Sequence, residues 1–193
     1  MGNRENTSSP VRLTYADLRR LPDDGMRHEL IDGEHYVTPA PRPKHQRVSG
    51  RLHLRLGAFL EERPLGRVYY APLDVVLTDF DCVEPDLLYV SREREQRQMT
   101  EDYLEGAPDL VVEILSPSTK RFDLGAKHRL YERFGVSEYW IVDPEKESVR
   151  VYRQEDDRLQ LSEELFRRGG TSAPVLSTPL LPGLAIPLDK IFD

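Results

Sequence analysis

Residues 109–115, Asp-Leu-Val-Val-Glu-Ile-Leu, form a near-continuous apolar run broken within by one carboxylate, Glu113. Such a run suits a strand covered on both faces, because a strand with one wet face alternates polar and apolar residues. Covering both faces of a sheet takes further layers, which points to a layered α/β architecture. Alternation places Val111, Glu113 and Leu115 on one face of this strand. An ionised Glu113 there costs several kcal/mol, roughly the scale for unpaired buried charge, unless something compensates it. A strand end open to water, an arginine partner or a bound cation would each meet that cost.

The flanking sequence supplies the other layers. Residues 44–62 read as a long helix, with Val48, Leu52, Leu56 and Phe59 or Leu60 on one stripe and Pro64 and Gly66 ending it. A second long helix is expected over 118–134, with Phe122, Ala126, Leu130 and Phe134 on one stripe and Gly135 just past its end. Thr14 is positioned to cap a short helix that stops before Pro22. Asp32-Gly33 between the runs 29–31 and 35–38 signals a β-hairpin. Further strands are expected at 67–71, 74–77, 86–90, 138–142 and 148–153 and near 159–161, with Asp143-Pro144 opening a turn. The charged segment 91–105 fits a helix or a loop equally well, and the apolar tail 183–188 is expected to pack. The sum is an α/β (α+β) fold, a mixed β-sheet flanked by helices, without internal repeats.

The 193 residues suit one domain over 11–193, after a polar tail at 1–10 that is expected to be flexible. No apolar run approaches the roughly 20 residues needed to span a bilayer. The N-terminus has no signal-peptide core, so a cytoplasmic location is expected. The single cysteine, Cys82, argues against a thiolate zinc site. Twenty-seven basic and 34 acidic residues give a formal charge of -7. That argues against a simple electrostatic binder of nucleic acid, but not against an enzyme that gathers carboxylates around a cation.

Asp86 follows Pro85 at the start of an expected strand. Alone it is a common turn residue. Paired with Glu113 it makes a set of hard oxygen ligands of the type that suits Mg²⁺ or Mn²⁺. Lys44, Arg47, Arg51 and Arg55 recur at spacings of three and four along the first long helix. They form a basic ridge, either a solvated helix face or a track for a phosphate backbone, that of DNA in the latter case. His45 and His53 lie eight residues apart, about 12 Å along a helix, too far to share a metal.

Taken together, Glu29-Leu30-Ile31-Asp32-Gly33-Glu34, Glu84-Pro85-Asp86, 109–119, Asp123, Lys127, Tyr131 and Gly135–Pro144 (GVSEYWIVDP) resemble the bacterial Uma family of candidate restriction endonucleases, within the PD-(D/E)XK nuclease superfamily. The resemblance covers nearly the whole chain. It implies a restriction-endonuclease-like core and a Mg²⁺-dependent (or Mn²⁺-dependent) endonuclease acting on DNA, with Asp86 and Glu113 as metal ligands. The superfamily motif asks for Glu-x-Lys, whereas this chain has Glu113-Ile114-Leu115. The resemblance moves the lysine's role, orienting the attacking water, to Lys127 on the following helix. An ordinary Asp123–Lys127 surface pair, worth about 0.3–0.5 kcal/mol, is the plainer reading of the same spacing. Glu29 matches an upstream acidic position that completes such sites. Duplex cleavage by this chemistry often needs two active sites, which favours a homodimer. Two rivals are a catalytically inactive nuclease fold that binds nucleic acid and a protein-interaction module. Neither Gly-x-Ser-x-Gly nor a glycine-rich phosphate loop is present.

Overall fold

The computed structural model describes residues 11–117, 120–167 and 174–193. The expected tail at 1–10 and the expected helix start at Ser118 lie outside them. Thr14 caps α1 (Tyr15–Leu18) reciprocally: its hydroxyl accepts from the Asp17 N–H while Asp17 accepts from the Thr14 N–H. Strands β1 (Arg27–Ile31) and β2 (Glu34–Thr38) form the hairpin. Its turn residues Asp32 and Gly33 both have positive φ, 53° and 77°, as a two-residue turn matched to the strand twist requires. The long helix α2 (Pro43–Glu62) buries Val48, Leu52, Leu56 and Leu60, the expected stripe.

Four strands follow: β3 (Gly66–Tyr70), β4 (Val75–Thr78), β5 (Asp81–Val83) and β6 (Leu87–Ser91). The charged segment resolves into α3 (Arg92–Gln98) and the short β7 (Leu104–Glu105). The apolar run is β8 (Leu110–Ile114), every residue of it buried. Next come α4 (Lys120–Phe122), a π-helical turn (Asp123–Lys127) and α5 (His128–Arg133), which Gly135 ends at φ 70°. Strands β9 (Glu138–Asp143), β10 (Ser148–Glu155) and β11 (Arg158–Phe166) form a meander. The chain ends with β12 (Val175–Leu176), β13 (Ile186–Pro187) and α6 (Asp189–Phe192).

The main sheet has the order β11-β10-β9-β8-β6-β3 and is mixed, with β8 and β9 parallel and the other neighbours antiparallel. A second sheet has the order β2-β1-β5-β4-β7. On one side of β8, Leu110, Val112 and Ile114 meet the α2 stripe, Trp140 and the C-terminal Leu184, Ile186 and Leu188. On the other, Val111 and Leu115 meet Leu130 and Tyr131 of α5 and Val75 and Val83 of the second sheet. Both faces of β8 are therefore covered, and Glu113 points into the second of these layers. Gly66 pairs with Ser91 at the sheet edge, where an added Cβ would lie 2.1 Å from the Val90 carbonyl oxygen.

Three local features depart from the sequence reading. The strand β5 is only three residues long, too short to show a period, and its burial comes from pairing with β1 and β4. Asp86 sits just before β6 rather than within it. The second long helix is interrupted by the π turn, and its deepest residues are Asp123, Lys127, Leu130 and Tyr131, with Phe122, Ala126 and Phe134 only partly buried. Among the described residues, no helix is long and apolar enough to cross a membrane.

Candidate active site

The strand alternation of β1 puts Arg27 and Glu29 on one face. Pairing of β1 with β5 brings Glu29 beside the start of the Glu84-Pro85-Asp86 turn, where Glu29 Oε1 accepts the Glu84 N–H at 2.8 Å. The next ladder, β6 with β8, brings Asp86 beside Ile114. The result is two adjoining charge clusters.

In the first, Asp86 is the acceptor. Its Oδ1 takes a hydrogen bond from Arg27 Nη1 at 2.7 Å, and its Oδ2 takes bonds from His45 Nε2 at 2.9 Å and the Ile114 N–H at 2.8 Å. Burial pushes the carboxyl upward, but the hydrogen bond and charge of His45, with Arg27, outweigh it and hold Asp86 below the usual carboxylate range. Among the described residues the far ring nitrogen of His45, Nδ1, is buried and has no hydrogen-bond partner.

In the second cluster, Lys127 is the hub and is only 3% exposed. Its Nζ lies 2.8 Å from Glu29 Oε1, 2.9 Å from Glu113 Oε1 and 3.9 Å from Asp123 Oδ1. The Tyr131 hydroxyl donates to the same Glu113 oxygen at 2.7 Å. Burial alone would lower the Lys127 ammonium, yet Glu113, Glu29 and Asp123 together raise it above its ordinary value. Glu113 is raised, because full burial dominates and Asp123, Asp86 and Glu29 repel its charge, while Lys127 offsets only part of this. Glu84 is pushed up to about 7 by burial, Asp74 and Glu29, and its buried Oε2 has no hydrogen-bond partner among the described residues.

The π turn falls within this convergence. Asp123, Lys127 and Tyr131, spaced by four, all turn inward, and the Asp123 carbonyl accepts the Tyr139 hydroxyl at 3.1 Å. Wide turns of this type recur at functional sites in helices. Lys127 is thus no surface partner of Asp123; it is a buried cation shared by three carboxylates.

Both clusters open onto one cavity of about 310 Å³. Its lining brings together Asp86, Glu113, Lys127 and Glu29, the four candidates from sequence, with Arg27, Arg42 and His45 added. The ridge residues Lys44, Arg47, Arg51 and Arg55 do not line it. At about 100° per residue they lie on the flank of α2 opposite His45, Ser49 and His53. Lys44 pairs there with Glu145, and Arg51 is half-buried. Sequence reasoning missed Arg27 and Glu84 and did not connect His45 to Asp86. Arg27 carried a usable signal, since it stands two residues before Glu29 on the same strand face.

Five carboxylates (Glu29, Glu84, Asp86, Glu113, Asp123) crowd this region against the cations Arg27 and Lys127, with His45 alongside. Among the described residues, no group of three or more histidine, cysteine or acidic side chains is arranged as a ready metal cage. The donor chemistry nevertheless fits a hard divalent cation: the ligands offered are all oxygens, and the acidic excess and the orphaned Glu84 oxygen both call for positive charge.

A family model described as "Uma2: Putative restriction endonuclease" matches residues 15–189. The chain belongs to the Uma2 family. Among curated proteins, this Uma2 chain is 28% identical over 134 residues to an uncharacterised protein of Synechocystis sp., covering 68% of each. Among solved structures it is similar to a protein described as a putative nuclease belonging to DUF820 from Anabaena variabilis. The TM-score is 0.76 at 20% identity, with 93% of this chain and 97% of that one covered. That likeness establishes the fold, a restriction-endonuclease-like mixed sheet flanked by helices.

Proposed function

We propose that this Uma2 chain is a divalent-metal-dependent endonuclease that hydrolyses phosphodiester bonds of DNA, and that residues 11–193 act as one nuclease unit. The observation that carries the reading is the buried Lys127 ammonium held between Glu113 and Glu29 at a cavity that also exposes Asp86. A protein gains little stability from burying so many charges, since such clusters break even at best against apolar packing. Their arrangement therefore favours chemistry over structure.

Asp86 and Glu113, with Glu29 beside them, would hold Mg²⁺ or Mn²⁺. When bound, such an ion lowers the pKa of a water ligand and stabilises the oxyanions of an in-line displacement. Lys127 orients the attacking water from its fixed position and offsets charge near the scissile phosphate. Tyr131 fixes Glu113 through its hydroxyl. Arg27, anchored on Asp86, and Arg42 at the cavity wall are the cations placed to receive phosphate oxygens, in preference to the ridge on the far flank of α2. Cutting both strands of a duplex by this route calls for two copies of the chain, and light scattering with and without DNA measures whether a homodimer forms.

The test is cleavage of supercoiled, linear and single-stranded DNA by the purified protein with Mg²⁺, Mn²⁺ or EDTA, beside Asp86→Ala, Glu113→Ala and Lys127→Met. Metal-dependent cutting by wild type, lost in all three variants, is the expected result. No cutting on any substrate, with wild type and variants binding DNA alike, would instead support a nuclease fold retired to binding.

A further inference from the structure

The catalytic cavity does not end at Asp86. A second hollow of about 400 Å³ shares Arg27, Pro41, His45 and Asp86 with it and runs on along α2. Its far wall is formed by Ser49, Gly50 and His53 of α2 and by Tyr70, the last residue of the edge strand β3. Tyr70 is 60% exposed, whereas its partner across the ladder, Leu87, is fully buried. Its ring meets His53 at a centroid distance of 4.7 Å and an interplanar angle of 74°, an edge contact that sets the ring's orientation while most of the residue stays exposed. Nothing crowds the opposite floor, since a Cβ added at Gly50 would find no atom within 4 Å.

Resting on the nuclease reading above, we propose that Tyr70, oriented by His53, is a stacking platform for one unpaired base of the substrate strand. The strand enters the catalytic cavity past Arg27 and His45. The occupant follows from continuity and charge. Whatever places a phosphate at Asp86 and Arg27 must continue in one direction, and this hollow is the continuation that offers a flat aromatic face. His45 and His53 are about 12 Å apart along the helix. At the roughly 3.4 Å rise per nucleotide of a stacked strand, that spans three to four nucleotides, fewer if the strand is extended. A base lying on Tyr70 has left its own stack. The preferred substrate is therefore a single strand, an overhang or a frayed junction rather than continuous duplex.

Base–aromatic stacking is sequence-tolerant, and its removal by alanine costs a factor of about 5 to 150 in affinity per base. The test uses full-length protein in EDTA, so that binding is read without cleavage. The probes are single-stranded oligonucleotides carrying one 2-aminopurine at successive positions, and the matching blunt duplexes. Wild type is expected to quench the probe at one position. Tyr70→Ala should lose that quenching and bind single strands about 5- to 150-fold more weakly, with duplex binding unchanged. Tyr70→Phe, which keeps the ring, should retain both properties, and an abasic site at the quenched position should erase the difference between wild type and Tyr70→Ala. Unchanged single-strand affinity in a folded Tyr70→Ala, an equal loss on single strands and duplexes, or no oligonucleotide binding by wild type would each overturn the platform. Position-specific, Tyr70-dependent quenching without any metal-dependent cleavage would sink the nuclease reading and leave the platform standing. Cleavage that ignores Tyr70 would do the reverse.

Discussion

Replacing Lys127 by methionine keeps the side chain's length and removes the one ammonium among Glu29, Glu113 and Asp123. The two close contacts, at 2.8 and 2.9 Å, are each worth roughly 6 kcal/mol at an effective dielectric of about 20, before desolvation is counted. Most of that gain offsets the cost of taking the charges out of water. Measured losses on removing one partner of a buried cluster are accordingly smaller, about 3–5 kcal/mol. The carboxylates that lose the ammonium have an escape, which is to bind protons. Without the ammonium the Glu113 carboxyl, already raised by burial, rises further above the unfolded range near 4.3. Stability is then fully present below that range and is lost as pH climbs through the raised value. Lys127→Met is expected to lose about 3–5 kcal/mol at pH 8 and clearly less at pH 5, read by urea unfolding at both. Glu113→Gln should restore part of the loss at pH 8, with a coupling of about 1–3 kcal/mol in the double-mutant cycle. A loss below about 1 kcal/mol at pH 8, or the same loss at both pH values, would refute the picture of one cation balancing several buried acids.

Glu84, pushed up to about 7 from 4.5 by burial, Asp74 and Glu29, is raised in the folded state. Its contribution is therefore fully present below about pH 4.5 and declines as pH rises towards 7. Glu84→Gln should flatten that slope and gain about 1–2 kcal/mol at pH 8, discounted for partial exposure; unfolding midpoints across pH 4–8 measure it. Gly66→Ala forces its methyl group onto the Val90 carbonyl and should lose about 2–3 kcal/mol. Gly50→Ala, facing open space on α2, should gain up to about 1 kcal/mol in the same assay.

The parts of this molecule that were legible in the sequence are those written in local patterns. The period-four stripe of α2, the Asp32-Gly33 turn, the Thr14 cap and the unbroken burial of β8 each follow from residues within a few positions of one another. Glu113 announced itself because a carboxylate in such a strand needs a partner. Family resemblance, rather than spacing, singled out Lys127. Arg27 and Glu84 stayed hidden because their roles depend on which strands pair, β1 with β5 and β6 with β8, and a short strand such as β5 carries no period to announce it. The basic ridge was visible as charge, but its position relative to the cavity was not, since a helical wheel does not say which flank of α2 faces it.

The π turn sets where this helix can change length without disturbing the site. Its bonds span five residues instead of four, so Asp123–Lys127 accommodates one residue more than an ordinary helix would over the same rise. Deleting Gly125 would remove that extra residue and let the segment close into α geometry, with Asp123 and Lys127 three apart and still neighbours on one helix face. The same deletion at Arg129, in α5, has no spare residue to absorb it and would turn Leu130 and Tyr131 by about 100° relative to Lys127, taking the Tyr131 hydroxyl off Glu113. For Uma2 chains, the place of a one-residue gap in this helix thus matters as much as whether the acids and the lysine are there.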